Sequence, residues 1–131
     1  MTELILVRHG ETDWNRARRI QGTTDIPLND TGRAQAYDAA DALAAEVPED
    51  APVLVVSSPL SRARETAEII AAGLGAGAPR IYPELRERAY GVAEGVSVDE
   101  YIERFGSWDR DTVEGAEPRD ALRARGDRAL R

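Results

Sequence analysis

The 131-residue chain has the length of a single domain with a buried core, and its composition, 42% hydrophobic and 31% charged, is that of a globular protein. It contains no cysteine, and all seventeen basic residues are arginine, which excludes disulfides, cysteine nucleophiles, Schiff-base lysines and the lysine of a nucleotide-binding P-loop. A net charge of −7 argues against nucleic acid and anionic membranes as partners. The apolar run near the start is too short for a signal peptide or a membrane span, so we expect a cytoplasmic protein.

The first part of the chain shows a strand pattern followed by a helix pattern. Residues 4–7 are apolar on both faces, which predicts a strand buried inside a parallel sheet. Asn29 or Asp30 can cap the helix that follows, and Pro48 ends it. The apolar stripe of this predicted helix consists of Ala36, Ala39, Ala40, Leu43 and Val47.

The same order then repeats. Residues 53–56 predict a second strand that is apolar on both faces. Ser58 and Pro59 supply an N-cap and a first-turn proline for a helix that runs through Ile70. Repetition of strand and helix is typical of α/β proteins with right-handed crossovers.

Three shorter elements complete the chain. Residues 80–82 predict a short third strand, and Ser97 has the capping-box spacing that opens a helix toward Phe105. Pro118 opens a last helix that runs to the end of the chain. We therefore predict one α/β domain over residues 1–131, a three-layer sandwich in which a mainly parallel sheet is flanked by helices.

Charged residues follow the two predicted strands where a ligand would bind. Arg8, His9 and Gly10 come just after the first strand, at the edge of an open α/β sheet that ordinarily holds the ligand. Arg62 falls in the first turn of the helix after the second strand, where the macrodipole disfavours a cation unless an anion lies in front of it. Two guanidinium groups beside an imidazole suit a phosphoryl group.

Four segments in order, "LVRHGETDWN", "RRIQGTTDIPLNDTG", "SSPLSRARETAEII" and "ELRERAYGVAEG", resemble the histidine phosphatase superfamily, which includes phosphoglycerate mutases. The resemblance covers essentially the whole chain. It implies that His9 attacks phosphorus and becomes phosphorylated while Arg8 and Arg62 hold the phosphate oxygens. It also implies that Glu87 is the general acid that protonates the departing alcohol and then activates water. The residues that match the family's loop beside the phosphate are Asn15, Gln21 and Gly22.

The chain departs from the family pattern in its histidines. The family uses a second histidine on a later strand, whereas this sequence has none after His9. The segment "EGAEPRDALRARGDRAL" resembles the family's Gly-Glu-Ser segment and the helix after it, with Ala116 and Pro118 as substitutions. We therefore expect a domain that is incomplete at its C-terminal end and lacks the strand that would pair with residues 4–7.

The predicted function is that of a phosphomonoesterase acting on small phosphorylated metabolites, with no cofactor and no metal. A phosphoglycerate mutase is the nearest alternative, but the mutase branch resembled here uses a lysine near the substrate carboxylate, and the connection over residues 95–117 is short. A catalytically weak fragment or module that binds phosphorylated ligands through Arg8 and Arg62 is the other alternative. Sugar phosphates, phosphoglycerate derivatives and cofactor precursors are all possible substrates. The chain is also compatible with a homodimer. If Glu87 only positions the substrate, the remaining acids for the proton are Glu11, Asp13 and Glu94.

Overall fold

A computed structural model describes residues 3–106 and 113–130. The described elements, in chain order, are helix α1 (Asp13–Arg16), helix α2 (Asp30–Glu46), strand β1 (Val56–Ser57), helix α3 (Ser61–Gly73), strand β2 (Arg80–Ile81), the 3-10 helices Pro83–Leu85 and Gly91–Ala93, helix α4 (Val98–Phe105) and helix α5 (Arg119–Leu130). Strands β1 and β2 are parallel, with Val56 opposite Arg80 and Ser57 opposite Ile81. The predicted α/β class is confirmed, with a small parallel sheet accompanied by helices. Within the described residues, no helix has the length and apolar character needed to cross a membrane.

Two helix starts lie where the local sequence predicts them. The side chain of Asn29 accepts a hydrogen bond from the Gly32 N–H at 2.8 Å and caps α2. The Ser97 hydroxyl accepts one from the Glu100 N–H at 3.1 Å and caps α4. In both cases the capping side chain lies next to the helix that it caps, so a short sequence window contains the whole signal.

The predicted start of α3 is wrong. Ser58 and Pro59 lie before the helix, which begins at Ser61 and extends to Gly73, beyond the predicted end at Ile70. Its first turn is capped from a distant loop, because the backbone N–H of Ser61 donates to one oxygen of Asp25 at 2.7 Å and the Ser61 hydroxyl donates to the other at 3.0 Å.

Helix α1 was not predicted. It is a single turn, and Thr12 and Asn15 form a capping box at its start. A turn this short has too few residues to show an apolar stripe, which is the pattern that predicts longer helices.

The predictions of two buried, fully apolar strands are wrong. Residues 4–7 have no strand partner within the described part of the chain, and Leu4 and Leu6 are 67% and 86% exposed. Of residues 53–56, only Val56 lies in a strand, and Leu54 is 61% exposed. An apolar run predicts burial only if neighbouring strands are present to cover it. The described sheet has two strands of two residues each, so it does not cover these runs.

Two packed regions hold the described elements together. Helices α2 and α3 approach closely through small side chains, and a Cβ added to Gly73 would lie 2.8 Å from the Cβ of Ala40. The second region surrounds Tyr101 of α4, which is fully buried and meets Phe105 with ring centroids 5.3 Å apart. The other buried residues of this second cluster are Ile20, Ala93 and Val113.

Glycines allow the first turn of α2 to lie directly against the loop that carries the histidine. A Cβ added to Gly32 would lie 2.1 Å from the carbonyl oxygen of Glu11, and one added to Gly10 would lie 2.3 Å from the carbonyl oxygen of Gly32. Both obstacles are backbone atoms, which cannot swing aside as a side chain can. The close approach of the loop beside His9 to α2 therefore requires glycine at both Gly10 and Gly32.

This close approach predicts that Gly32→Ala lowers the free energy of unfolding by about 1–3 kcal/mol, as overpacking does, even though alanine favours a helix. Gly126→Ala is the matched control, because Gly126 lies within α5 and, apart from its chain neighbours and the backbone of its own helix, no atom of the described residues lies within 4 Å of an added Cβ. There the better helix propensity of alanine should raise the same free energy by up to about 1 kcal/mol. Urea unfolding followed by circular dichroism measures both, and a Gly32→Ala variant as stable as the parent would contradict the packing argument.

Candidate active site

His9 lies half-buried in the loop that precedes α1. Its Nδ1 lies 2.6 Å from the carbonyl oxygen of Gly10. A carbonyl can only accept a hydrogen bond, so Nδ1 is the protonated nitrogen and donates to it. In the neutral ring Nε2 then keeps its lone pair, which is the form that a nucleophilic imidazole needs.

The surroundings of His9 favour the neutral ring. Burial is the main cause that lowers the pKa of His9 below its ordinary 6.5, and the positive charges of Arg62 and Arg8 lower it further. The Gly10 carbonyl and the negative charge of Glu87 act in the opposite direction without cancelling the shift. The net effect favours the uncharged ring, and the charges of Arg62, Glu87 and Arg8 all act on it.

Arg62, in the first turn of α3, is the most deeply buried charge of the site, with 1% of its surface exposed. Its Nη1 donates to the carbonyl oxygen of Thr24 at 2.7 Å, and its Nη2 donates to the carbonyl oxygen of Gly22 at 2.5 Å. Nη2 also donates to the carboxylate of Glu87 at 2.8 Å. An arginine has five N–H donors, so two of them make no hydrogen bond to the described residues.

A buried hydroxyl connects the histidine loop with α3. The backbone N–H of Gly10 donates to Oγ1 of Thr66 at 3.1 Å, and that hydroxyl donates to the carbonyl oxygen of Arg62 at 2.7 Å. Thr66 thereby fixes the residue next to His9 relative to the turn that carries Arg62. Sequence reasoning missed Thr66, although threonine inside a helix commonly donates to the carbonyl four residues earlier.

The carbonyls that face Arg62 belong to a loop held by Glu94. The Glu94 carboxylate accepts hydrogen bonds from the backbone N–H of Thr24 at 2.8 Å and of Tyr90 at 2.9 Å, and also from the hydroxyls of Thr23 and Thr24. Burial by itself would raise the pKa of Glu94, but these hydrogen bonds outweigh it and lower the pKa. The charged form of Glu94 is thus favoured, its hydrogen bonds hold the loop, and a lowered pKa suits it poorly for donating a proton.

Gly22 is required beside this carboxylate. Its φ of +56° lies in the left-handed region that favours glycine, and a Cβ there would lie 2.6 Å from a carboxylate oxygen of Glu94. Gly22 contributes to the site through its carbonyl oxygen, which accepts from Arg62.

Four of the predicted residues are linked electrostatically: Glu87 accepts a hydrogen bond from Arg62, and the charges of Arg62, Glu87 and Arg8 all act on the pKa of His9. Arg8 is exposed, and the side chain of Glu87 is 42% exposed with its carboxylate on Arg62. Glu87 is therefore both reachable from solvent and linked to the buried cation.

Asn15 and Gln21 are engaged elsewhere through their amide oxygens. The Asn15 oxygen accepts from the backbone N–H of Thr12 at 3.0 Å, and the Gln21 oxygen accepts from the Thr12 hydroxyl at 2.5 Å. These contacts build the loop around α1, and the substrate-binding role that the resemblance implies for the two residues stays a prediction.

The other acidic candidates already have partners. One oxygen of Glu11 forms an ion pair with Arg16 at 3.0 Å and accepts a hydrogen bond from Asn29 at 2.9 Å, and Asp13 accepts a hydrogen bond from Asn29 at 3.2 Å. Glu87, bonded to Arg62, is the acid whose charge His9 senses. In the described part of the chain, no group of three or more histidine, aspartate and glutamate side chains is arranged to hold a metal ion.

Taken together, the site has a neutral nucleophilic nitrogen, two guanidinium groups and one accessible carboxyl group. Guanidinium groups bind phosphoryl oxygens through paired hydrogen bonds, and an imidazole nitrogen can attack phosphorus. The arrangement suits transfer of a phosphoryl group from a small ester.

Comparisons with known proteins point in the same direction. The family model described as "Histidine phosphatase superfamily (branch 1)" matches residues 4–131. The uncharacterized phosphatase PhoE of Bacillus subtilis is 44% identical over 105 residues, which are 80% of this chain and 52% of PhoE. The probable phosphoglycerate mutase GpmB of Escherichia fergusonii is 42% identical over 115 residues, which are 88% of this chain and 51% of GpmB. The chain thus spans about half the length of these curated relatives.

Solved structures are similar in fold as well as in sequence. A mycobacterial glucosyl-3-phosphoglycerate phosphatase in complex with VO3 is 31% identical with a TM-score of 0.79, and the match covers 93% of this chain and 59% of that one. A phosphoglycerate mutase from Thermus thermophilus is 37% identical with a TM-score of 0.68, and the match covers 94% of this chain and 67% of that one.

The burial of His9 predicts its titration. As the only histidine in the sequence, it gives an unambiguous imidazole signal in NMR spectra, and we expect a midpoint below 6.5. Between that midpoint and 6.5 the unfolded chain binds more protons than the folded chain, so the free energy of unfolding should fall as the pH is lowered through this window. His9→Gln should remove that part of the pH dependence, and a midpoint at or above 6.5 would contradict the proposed environment.

Proposed function

Because the chain belongs to the histidine phosphatase superfamily, we propose that it is a phosphomonoesterase that hydrolyses small phosphorylated metabolites through a phosphohistidine on His9. The observation that carries this proposal is the state of His9. Its Nδ1 is bonded to the Gly10 carbonyl, its pKa is lowered mainly by burial, and two arginines lie near it. A neutral Nε2 beside cations is the combination that attack on an anionic phosphate ester requires.

In the first step, Nε2 of His9 forms a bond to phosphorus while the bond between phosphorus and the ester oxygen breaks. Arg62 and Arg8 hold the non-bridging oxygens, where most of the charge of the transition state resides. Glu87, in its protonated form, gives its proton to the departing alkoxide, which is a poor leaving group without it. The products are a free alcohol, a phosphohistidine and the Glu87 carboxylate.

In the second step, the Glu87 carboxylate takes a proton from a water molecule whose oxygen attacks phosphorus. The bond between Nε2 and phosphorus breaks, inorganic phosphate leaves, and His9 returns to its neutral form with Nδ1 protonated. Division into two displacements replaces one difficult step with two easier ones. The same carboxyl group acts first as acid and then as base, so it ends the cycle as it began.

The contact between Glu87 and Arg62 suits this exchange. Without substrate the Glu87 carboxylate occupies one donor of Arg62 at 2.8 Å. A phosphate ester with two negative charges competes for that donor and releases the Glu87 carboxylate, which takes up a proton from water beside the negative ester and then faces the ester oxygen as a carboxylic acid. With its side chain 42% exposed, Glu87 has room to move, whereas Arg62 is fixed by two carbonyls.

A phosphoglycerate mutase is the second candidate, because several relatives carry that description. A mutase must also bind the substrate carboxylate, and the chain has no lysine for that purpose, although an arginine could serve.

The sequence contains only one histidine, so the proposal rests on His9 with Arg62, Arg8 and Glu87. A module that only binds phosphate would show stoichiometric binding without turnover of a generic aryl phosphate.

The proposal predicts a covalent intermediate. Rapid acid-free quenching with a 32P-labelled phosphate ester should trap a phosphoryl group that is labile in acid and stable in base, as expected for phosphohistidine. His9→Asn should reduce both the label and the turnover to background while the far-UV circular dichroism spectrum is unchanged. Label that persists in His9→Asn would show that another residue is the nucleophile.

The role of Glu87 predicts a dependence on the leaving group. Glu87→Gln keeps the shape of the side chain and removes the proton, so it should slow phosphorylation by an alkyl phosphate by roughly a hundredfold or more. Phosphorylation by nitrophenyl phosphate should change far less, because nitrophenolate leaves without a proton. Stopped-flow mixing separates this phase from breakdown of the intermediate.

Glu84→Gln provides the matched control, since Glu84 is a nearby carboxylate in the 3-10 helix that precedes Glu87. It should leave both phosphorylation rates unchanged. Equal slowing of both esters by Glu87→Gln would mean that Glu87 positions the substrate and the proton comes from another group.

A further inference from the structure

We propose that Arg125 of α5 is a positioning residue that fixes the backbone beneath Glu87, an inference that rests on the proposed role of Glu87 as acid and base. Arg125 does not belong to the group of charges around His9. It acts through residues 84–89, the backbone segment that contains Glu87 and so carries the proposed catalytic carboxyl group.

The guanidinium group of Arg125 is buried, with 8% of the residue exposed, and all five of its N–H donors are used. Two of them form a paired contact with the Glu117 carboxylate at 2.7 Å each. The other three donate to backbone carbonyl oxygens, at 2.7 Å to Glu84, 2.5 Å to Arg86 and 3.1 Å to Glu87. One side chain thus holds three carbonyls within four consecutive residues.

Glu117 extends this hold to the other end of the segment. Its backbone N–H donates to the carbonyl oxygen of Ala89 at 2.9 Å, and its own carbonyl accepts from Nε of Arg88 at 2.8 Å. The hydrogen bonds from Arg125 are the main cause that lowers the pKa of Glu117, so the carboxylate that anchors Arg125 stays charged. Arg125 and Glu117 together fix the segment from residue 84 to residue 89.

The placement of Glu87 needs such a support. Its side chain is 42% exposed, and its carboxylate is held by the hydrogen bond from Arg62, which a bound phosphate would take over. Once that bond is released, the position of the carboxyl group depends on the backbone that carries it. A general acid must lie within hydrogen-bond reach of the ester oxygen, and a displacement of about 1 Å can cost a hundredfold in rate.

Stability alone does not account for the buried ion pair of Arg125 and Glu117. Two charges lose their hydration on burial, and well-packed apolar residues of similar volume often stabilise a protein as well or better. The five directed hydrogen bonds of Arg125 instead define where the carbonyls of Glu84, Arg86 and Glu87 lie. This is the property that precise placement of a catalytic group requires.

The test compares Arg125→Met with Arg123→Met, which removes an exposed arginine from the same helix. In Arg125→Met, phosphorylation of His9 by an alkyl phosphate should slow by roughly tenfold to a hundredfold, whereas phosphorylation by nitrophenyl phosphate should change by less than about threefold. Arg123→Met should change neither. When combined with Glu87→Gln, Arg125→Met should add little further loss, because both changes remove the same step.

Glu117→Gln is the milder variant in case Arg125→Met does not fold. It keeps the shape of the anchor but removes its charge, and it should produce a smaller loss with the same selectivity for alkyl phosphates. Equal loss for both ester types, or full additivity with Glu87→Gln, would overturn the proposal and reduce Arg125 to a support of the fold.

Amide hydrogen exchange gives a readout that does not depend on turnover. Peptides covering residues 84–90 should exchange faster in Arg125→Met than in the parent, with peptides from α2 unchanged as an internal control. Unchanged exchange in 84–90 would overturn the proposal directly. If exchange accelerates as expected but the parent protein forms no phosphohistidine from any ester, the proposed function fails while the hold of Arg125 on the segment stands.

Discussion

Burial of the Arg62 guanidinium is the constraint on which the site depends. A cation that is 1% exposed must recover the hydration that it has lost, or folding would cost several kcal/mol. Two carbonyls of the loop 21–24 and the carboxylate of Glu87 supply that compensation. These groups come from separate loops, so each loop has its own support: Glu94 for the first and Arg125 for the second. Arg62 thereby contacts both loops, and each loop is held by a second charged side chain.

The same arrangement sets the state of His9. Burial and the neighbouring cations keep the ring neutral, and the Gly10 carbonyl fixes which nitrogen holds the proton. Thr66 joins the backbone of that loop to the turn that presents Arg62. His9, the proposed nucleophile, and Arg62, the proposed phosphate-binding group, are therefore parts of one connected structure.

Sequence reasoning succeeded where the signal was local and failed where it was distant. Asn29 and Ser97 cap helices a few residues away, so their positions were predicted. The predicted start of α3 was wrong because the carboxylate that caps the helix, Asp25, lies 36 residues before Ser61 in the sequence. Residues 4–7 were expected to be buried, yet burial depends on strands that the described sheet does not contain. The residues that form the centre of the site carry a recognisable motif, whereas the hold of Arg125 on the carbonyl of Glu87 spans 38 residues and leaves no pattern in a short window.

The exposed segment 4–7 has a consequence for the protein's behaviour at high concentration. Four consecutive apolar side chains, on a backbone without a strand partner among the described residues, form a template onto which another extended chain can add. The net charge of −7 opposes this by repulsion between molecules. Acidification or high salt weakens that repulsion while the segment stays equally apolar, so the colloidal stability of the protein should depend on pH and ionic strength more than its folding does.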